Sequence, residues 1–187
     1  MKTRTVDTVV TYLSLRRRPA HLPPMPSTPR LALMKAEKIP LHFYRYLYRE
    51  VGGGWLWVER LELPDAALAE RIHRPGIEIF VLYANGAPAG YYELDFADSK
   101  STRLVYFGLI ADWTGMRIGP WFLASAISEA LSRGAEEIQV NTCTLDHPAA
   151  LPLYQRLGFR PIRRENRRLV VPQGVPIPVH IVAQMGP

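Results

Sequence analysis

Cysteine is almost absent from this chain, and that scarcity excludes several classes of protein. One thiol, Cys143, among 187 residues allows no internal disulfide and no cysteine-based zinc site. Apolar runs are also short, and none approaches the roughly 20 residues that a membrane-spanning helix needs. The run 9–15 is interrupted by Thr and Ser and is followed by three arginines, so it is interpreted as a strand and not as a signal peptide. We therefore expect one globular domain in a reducing cytoplasm.

Acidic residues are fewer than basic ones, 17 against 23, which gives a net charge of +6 and a pI of about 9.7. A basic chain can bind nucleic acid. Here the charge is dispersed, apart from 16–18 and the five arginines within 160–168. That second cluster fits either a solvated hairpin or the attraction of an anionic cofactor or acceptor. Nucleic acid therefore ranks behind the other partners, and we expect no membrane partner.

Hydrophobic periodicity predicts alternating helices and strands along most of the chain. The five prolines between 19 and 29 predict a loop, and the pair Asn85-Gly86 predicts a tight hairpin. Helices are predicted at 41–51, 64–73 and 120–131. Strands are predicted at 1–15, 77–84, 89–96, 103–110, 137–142, 160–171 and 175–184, the last limited by Pro176 and Pro178 to an edge or an irregular path.

The segment 146–159 carries the most specific pattern. A polar break precedes a short helical stretch that ends at Gly158, and Phe159 then returns as an apolar anchor. Leu153 and Leu157 lie one turn apart on a side suited to packing. Tyr154 differs from them because its phenol can donate or release a proton.

Upstream of this segment lies a strand, a glycine-containing loop, a helix and a further strand. The loop is Thr114-Gly-Met-Arg-Ile-Gly119, and Pro120 suits the first position of the helix that follows. A helix start presents free backbone N–H groups and a partial positive charge, so it can hold a pyrophosphate.

Together, these segments resemble the GCN5-related N-acetyltransferase (GNAT) superfamily over roughly residues 76–162. The resemblance implies a single α/β domain with a mixed, mostly antiparallel sheet flanked by helices on both faces. In that arrangement 1–75 is an N-terminal strand with acceptor-side helices, 76–162 is the acetyl-CoA-binding core, and 163–187 holds C-terminal strands. The loop departs twice from the family pattern, because Thr114 replaces an Arg or Gln and Arg117 replaces a glycine.

The resemblance implies acetyl-coenzyme A as cosubstrate and no metal. In the family, the tyrosine that matches Tyr154 faces the coenzyme sulfur, and backbone N–H groups near Leu109–Ile110 would stabilise the developing oxyanion where a strand splays. His147 stands where the family has an asparagine on the pantetheine arm, and Asn141 could substitute. The implied cofactor-binding residues are Leu109, Ile110, Thr114, Gly115, Met116, Arg117, Ile118, Gly119, Asn141, His147 and Tyr154.

On the acceptor side, alternation along 90–95 puts Tyr91, Glu93 and Asp95 on one face of a strand, which we interpret as the wet or functional face. Glu93 is the candidate base that deprotonates the amine, with Asp95 or water as alternatives, and Tyr154 is the candidate acid for the leaving thiolate. The predicted substrate-binding residues are Tyr44, Tyr48, Trp55, Tyr91 and Glu93. An aromatic wall suits an apolar or cationic amine.

The sequence therefore predicts an N-acetyltransferase that moves an acetyl group from acetyl-coenzyme A to a primary amine of a small molecule. Two alternatives stay open: an enzyme that acetylates a protein N-terminus or lysine, and a non-catalytic acyl-coenzyme A sensor or interaction module. The acceptor, the acyl length and whether the chain forms a homodimer are left open.

Overall fold

The computed structural model describes residues 3–182, in which a seven-stranded sheet is packed between helices. The strands are β1 (Thr3–Leu15), β2 (Leu31–Lys35), β3 (Ile77–Ala84), β4 (Ala87–Asp95), β5 (Ser101–Leu109), β6 (Glu137–Cys143) and β7 (Arg160–Pro172). The helices are α1 (Leu41–Gly52), α2 (Asp65–Ile72), α3 (Ile118–Ser132), α4 (Ala150–Arg156) and α5 (Val179–Val182). Among these described residues, no helix is both long and apolar enough to cross a membrane.

The strands follow the order β2-β3-β4-β5-β6-β1-β7 across the sheet. Neighbours are antiparallel except β5 and β6, which run parallel because α3 connects them as a crossover. The hairpin between β3 and β4 turns at Asn85 and Gly86, both with positive φ, as the sequence predicted. The mixed, mostly antiparallel sheet with helices on both faces confirms the predicted fold class.

Each face of the sheet has its own apolar cluster. Helices α3 and α4 cover one face, where Phe122 and Leu123 pack against Tyr92 and Leu104. Helices α1 and α2 cover β3, β4 and part of β5 on the other face, around Tyr91. On that second face, β6, β1 and β7 instead form the floor of a groove.

Two parts of the chain differ from the sequence prediction. The strand predicted at 175–184 is wrong: α5 lies within it at Val179–Val182, and the two prolines before it cannot donate to a strand ladder. Residues 183 and 184 of that prediction lie outside the described part. The edge strand β2 was not predicted, because its five residues follow the proline-rich loop and only alternate weakly in burial.

The parallel pair β5 and β6 separates halfway along its length. Its register extends only from Ser101 opposite Glu137 to Leu104 opposite Val140. At the same height the pairing of β4 with β5 shifts by one residue, from Glu93 opposite Tyr106 to Leu94 opposite Leu104. This bulge bends β5 away from its parallel neighbour. The result is a wedge-shaped opening in the sheet, which positions the candidate site.

Candidate functional site

The wedge between β5 and β6 holds a cavity of about 420 Å³, here named the cofactor cavity. Its walls come from the far half of β5, the loop before α3, the start of α3, and α4. Most of the predicted cofactor residues line it: Leu109, Thr114, Gly115, Arg117, Ile118, Gly119, Asn141, His147 and Tyr154. Two predicted residues lie elsewhere, since Ile110 is buried in the cluster around α1 and Met116 is about half exposed on the loop.

The start of α3 faces this cavity with two features suited to phosphate. Its first N–H groups have no partner within the helix. Arg117, the residue directly before α3, adopts the left-handed conformation at φ 59° and ψ 17°. A glycine would take that conformation without a Cβ penalty. Arg117 adopts this conformation despite its Cβ, and it brings a positive charge to the lining of the cavity. Arg156, in the last turn of α4, brings a second positive charge and was not predicted from the sequence.

Of the two backbone N–H groups predicted to stabilise the oxyanion, one already donates a hydrogen bond within the sheet. The Ile110 N–H donates to the Ala89 carbonyl at 2.8 Å. Because amides alternate sides along a strand, the N–H of Leu109 points away from β4 and into the wedge. Of the two positions, Leu109 is therefore the one that can donate to a bound carbonyl.

Tyr154 lies on α4 with 5% of its surface exposed, and it forms part of the cavity wall. Its ring packs near Phe107 and Phe159, at centroid distances of 6.2 and 5.8 Å. Burial, and secondarily the charge of Asp146, raise the pKa of this phenol above its usual range. The hydroxyl therefore stays protonated at neutral pH and can act as a donor.

A second depression of about 720 Å³, here named the acceptor groove, lies on the other face of the sheet. Its floor is formed by β6, β1 and β7, and residues 55–59 form one wall. The groove meets the cofactor cavity where the wedge opens. The residues common to both, here named the junction, are Trp55, Trp57, Val105, Tyr106, Val140, Asn141 and Asp146.

Asp146 is the carboxylate of the junction, and it was not among the residues predicted for the site. Its Oδ2 accepts from the Thr142 hydroxyl and the Cys143 amide, both at 2.8 Å, and its Oδ1 accepts from Trp57 Nε1 at 3.3 Å. These bonds fasten the wall of the groove to the turn before α4. Within residues 3–182, no group of three or more His, Cys, Asp or Glu side chains is placed to hold a metal ion.

Glu93 is placed behind the groove, fully buried beneath α1. Its Oε2 accepts from the Tyr44 hydroxyl at 2.8 Å, and its Oε1 accepts from Arg60 Nη2 at 3.0 Å. Burial raises the pKa of Glu93 above its usual range, while Arg60 and Tyr44 limit the rise. Arg60 is itself 7% exposed, and its Nη1 has no hydrogen-bond partner among the described residues.

The prediction that one face of β4 is exposed to solvent is therefore wrong. The prediction that Tyr91, Glu93 and Asp95 share that face is correct. Tyr91 is fully buried with Glu93, because α1 covers this face of the strand. Only Asp95, near the strand end, is partly exposed, and it is paired with Arg74 at 2.6 Å.

The remaining aromatic predictions divide between the groove and the core. Trp55 is partly exposed in the acceptor groove, and Tyr48 contributes to the lining although only 1% of its surface is exposed. Tyr44 is fully buried beside Glu93. Tyr106 was missed, and it packs against Tyr48 and Trp57 at centroid distances of 5.1 and 5.0 Å. Tyr106 lies one residue past the bulge in β5, and this position can be recognised only from the pairing register of the strands.

The site is a wedge between two parallel strands, with the start of a helix on one side and a groove on the other. The sequence of the same region also matches a known protein family. The sequence profile of the acetyltransferase (GNAT) family matches residues 43–159. The chain belongs to the GNAT acetyltransferase family. Members of this family use acetyl-coenzyme A as cosubstrate and act on amine acceptors.

Solved structures share the GNAT fold at low sequence identity. A protein of unknown function from Staphylococcus epidermidis is 13% identical with a TM-score of 0.58, and the match covers 89% of this chain and 62% of that one. An aminoglycoside acetyltransferase from a soil metagenome is 16% identical, with a TM-score of 0.55 over 68% and 87% of the chains.

A GCN5-related N-acetyltransferase from Kribbella flavida is 14% identical, with a TM-score of 0.58 over 91% and 61% of the chains. The chain thus spans about three fifths of the length of the Staphylococcus and Kribbella proteins. No curated protein matches the sequence.

Proposed function

We propose that this GNAT chain transfers an acetyl group from acetyl-coenzyme A to the primary amine of a small molecule. The observation that carries the proposal is the meeting of two depressions at the junction, one on each face of the sheet. A thioester entering from the cofactor cavity and an amine entering from the acceptor groove would meet there. Bringing the two reactants together in this way is itself a large part of catalysis.

The cofactor cavity fits coenzyme A in both of its chemical halves. The start of α3, with Arg117 and Arg156, supplies donors and positive charge for phosphates. The wedge supplies β5 amides that have lost their β6 partners beyond Leu104, and these suit an amide-bearing arm. The Leu109 N–H would stabilise the developing oxyanion.

Two proton transfers complete the reaction. Tyr154, on the cavity wall, would protonate the departing thiolate, as its position in the sequence pattern implies. For the amine, Glu93 stays a prediction, and its ion pair with Arg60 means that it would act through an intervening group or water. Asp146 is a second candidate base because its carboxylate lines the junction directly. One proton leaves the amine and one reaches the thiolate, so the reaction balances as amide plus coenzyme A.

The similarity to an aminoglycoside acetyltransferase supports a small-molecule acceptor. The test is a screen of amines with a free-thiol readout, run beside calorimetry of acetyl-coenzyme A binding. We expect saturable binding and acceptor-dependent thiol release that yields a stoichiometric N-acetyl product. Binding without turnover on any amine or peptide would instead identify an acyl-coenzyme A sensor, and turnover only on peptides would identify a protein acetyltransferase.

A further inference from the structure

Arginine side chains line the part of the acceptor groove that lies away from the junction. The two carboxylates in the lining are Glu59 and Asp146, and Asp146 is already engaged by three donors. Four arginines belong to the lining, Arg103 on β5 and Arg163, Arg167 and Arg168 on β7. Arg163 and Arg167 share the face of Tyr12, whereas the Arg168 side chain alternates to the other face. Glu165 of the same strand face pairs with Arg163 and Arg167, so an anion would be attracted by the N–H donors that this pairing leaves free and by Arg103.

Two of these arginines are held in place and still have free donors. The Arg163 guanidinium lies 4.1 Å from the centroid of the Tyr12 ring, and it shares the carboxylate of Glu165 with Arg167. The Tyr12 hydroxyl also donates to Glu165, at 3.1 Å. One carboxylate cannot neutralise two guanidiniums, and each guanidinium has five N–H donors. Stacking and pairing thus fix the two groups while leaving N–H groups for a ligand.

Arg103 adds charge at the opposite side of the groove. Its side chain is exposed, and it forms no ion pair with any carboxylate of residues 3–182. Arg168 adds no charge to the groove, because its side chain lies on the other face of the sheet, where it pairs with Asp7.

The sheet register sets the distance between this charge and the reaction centre. Asn141 of the junction, Tyr12 and Arg163 are direct neighbours on β6, β1 and β7. Two strand spacings separate the outer members of this row, which places their backbones about 10 Å apart. An arginine side chain can reach back over part of that distance. A molecule of modest length can therefore place an amine at the junction and an anion on Arg163.

We propose that the acceptor is a small amine that also carries a carboxylate or a phosphate, which Arg163 and Arg167 bind while the amine reaches the junction. This inference rests on the proposed function and names its substrate class. It replaces the expectation of an apolar or cationic amine, because arginines with free N–H donors lie among the aromatic side chains of the groove. A polycationic aminoglycoside is disfavoured by the same charges.

Matched pairs of amines test the proposal. One pair is 6-aminohexanoate and hexylamine, and the other is 5-aminopentyl phosphate and 5-aminopentanol. Equilibrium binding to the protein with coenzyme A present is measured by calorimetry, and acetylation is measured separately by thiol release. We expect the member that carries the acid group to bind about ten- to hundredfold more tightly in at least one pair, as loss of a charged hydrogen bond implies.

The variants Arg163→Gln and Arg167→Gln locate the effect. Each should lower the ratio between the affinity for the amine that carries the acid group and the affinity for its partner without that group. Higher salt should lower the same ratio in the wild type. Arg164→Gln is the control, since Arg164 is an exposed arginine of the same strand that does not line the groove. That variant should keep the wild-type ratio.

Equal affinities within both pairs, or a ratio that neither variant changes, would overturn the proposal. Binding restricted to acidic peptides would overturn the small-molecule assignment. Anion-selective binding with no acetylation of any amine would refute the transfer reaction and leave the groove assignment standing, so the two failures are distinguishable.

Discussion

The pair formed by Arg60 and Glu93 concentrates buried charge at one residue contact. Both side chains are almost without solvent exposure, and a buried ion that loses its partner is costly. We expect Arg60→Met to lower the free energy of unfolding by about 3–5 kcal/mol, measured by urea denaturation. The double variant Arg60→Met, Glu93→Leu should recover much of the loss, because it removes both charges. If the double variant lost as much free energy of unfolding as the two single variants added together, the two residues would not be energetically coupled.

The same pair predicts a dependence on pH. A carboxyl whose folded pKa is raised stabilises the fold most below its unfolded pKa, and that contribution is lost as pH rises through the folded pKa. Removing Arg60 removes the cation that limits the rise for Glu93. The destabilisation by Arg60→Met should therefore be larger at neutral pH than at acidic pH. A difference between variant and wild type that stays constant from acidic to neutral pH would contradict the assignment.

The role of Tyr154 can be tested by removing a single oxygen atom, that of its hydroxyl group. Tyr154→Phe keeps the ring contacts with Phe107 and Phe159 and removes only the hydroxyl. We expect acetyl-coenzyme A affinity to hold while kcat falls about 10²–10⁴-fold, the usual loss for a positioned acid. Tyr46→Phe on the exposed surface of α1 is the control, with Tyr46 41% exposed. Wild-type turnover in Tyr154→Phe would remove the acid role.

The base can be identified by comparing Glu93→Gln with Asp146→Asn. A lost base matters most at low pH, where the amine is protonated, and its absence is partly rescued as pH rises. The variant whose deficit in kcat/KM narrows with increasing pH has therefore lost the base. Profiles parallel to wild type in both would assign the proton to water. Both variants need a check of folded fraction, because both residues also hold structural hydrogen bonds.

At the scale of elements, the start of α3 combines strain with function. Arg117 holds a left-handed conformation that costs an ordinary residue about 1–2 kcal/mol and a glycine almost nothing. We expect Arg117→Gly to stabilise the ligand-free protein by about 1 kcal/mol. Arg117→Ala should instead weaken acetyl-coenzyme A by about 1.5–3 kcal/mol if the guanidinium contacts phosphate. Calorimetry and urea denaturation separate the two effects, and wild-type affinity in both variants would show that Arg117 is merely tolerated.

The elements themselves were mostly predictable, since α1, α2, α3 and the central strands follow their periodicity within a few residues. The bulge between Leu104 and Tyr106 was not, because register shifts arise from pairing between strands and leave no mark in one strand's pattern. Alternation correctly separated Tyr91 and Glu93 from Tyr92. It could not tell which face was buried, because burial depends on where α1 packs. Arg60 lies between α1 and α2 in a segment without periodicity, so nothing local linked it to Glu93.

For the whole molecule, ligand binding and stability are linked. A ligand that binds only the folded state stabilises it by mass action, by about 2.7 kcal/mol when present at one hundred times its Kd. For a chain of this size, each kcal/mol raises Tm by roughly 2–4 °C, so acetyl-coenzyme A should raise Tm by about 5–11 °C.

Gly119→Glu is the matched variant for that measurement. A Cβ added there meets only Leu153 Cδ2, at 3.6 Å, which is an ordinary contact, so we expect the fold to tolerate a side chain at this position. The new carboxylate would oppose phosphate at the start of α3, where a negative ligand otherwise gains from the helix dipole. Its Tm should therefore be unmoved by acetyl-coenzyme A. An equal rise in wild type and variant would place the cofactor elsewhere, and no rise in the wild type at millimolar ligand, with no heat of binding, would refute the cofactor site.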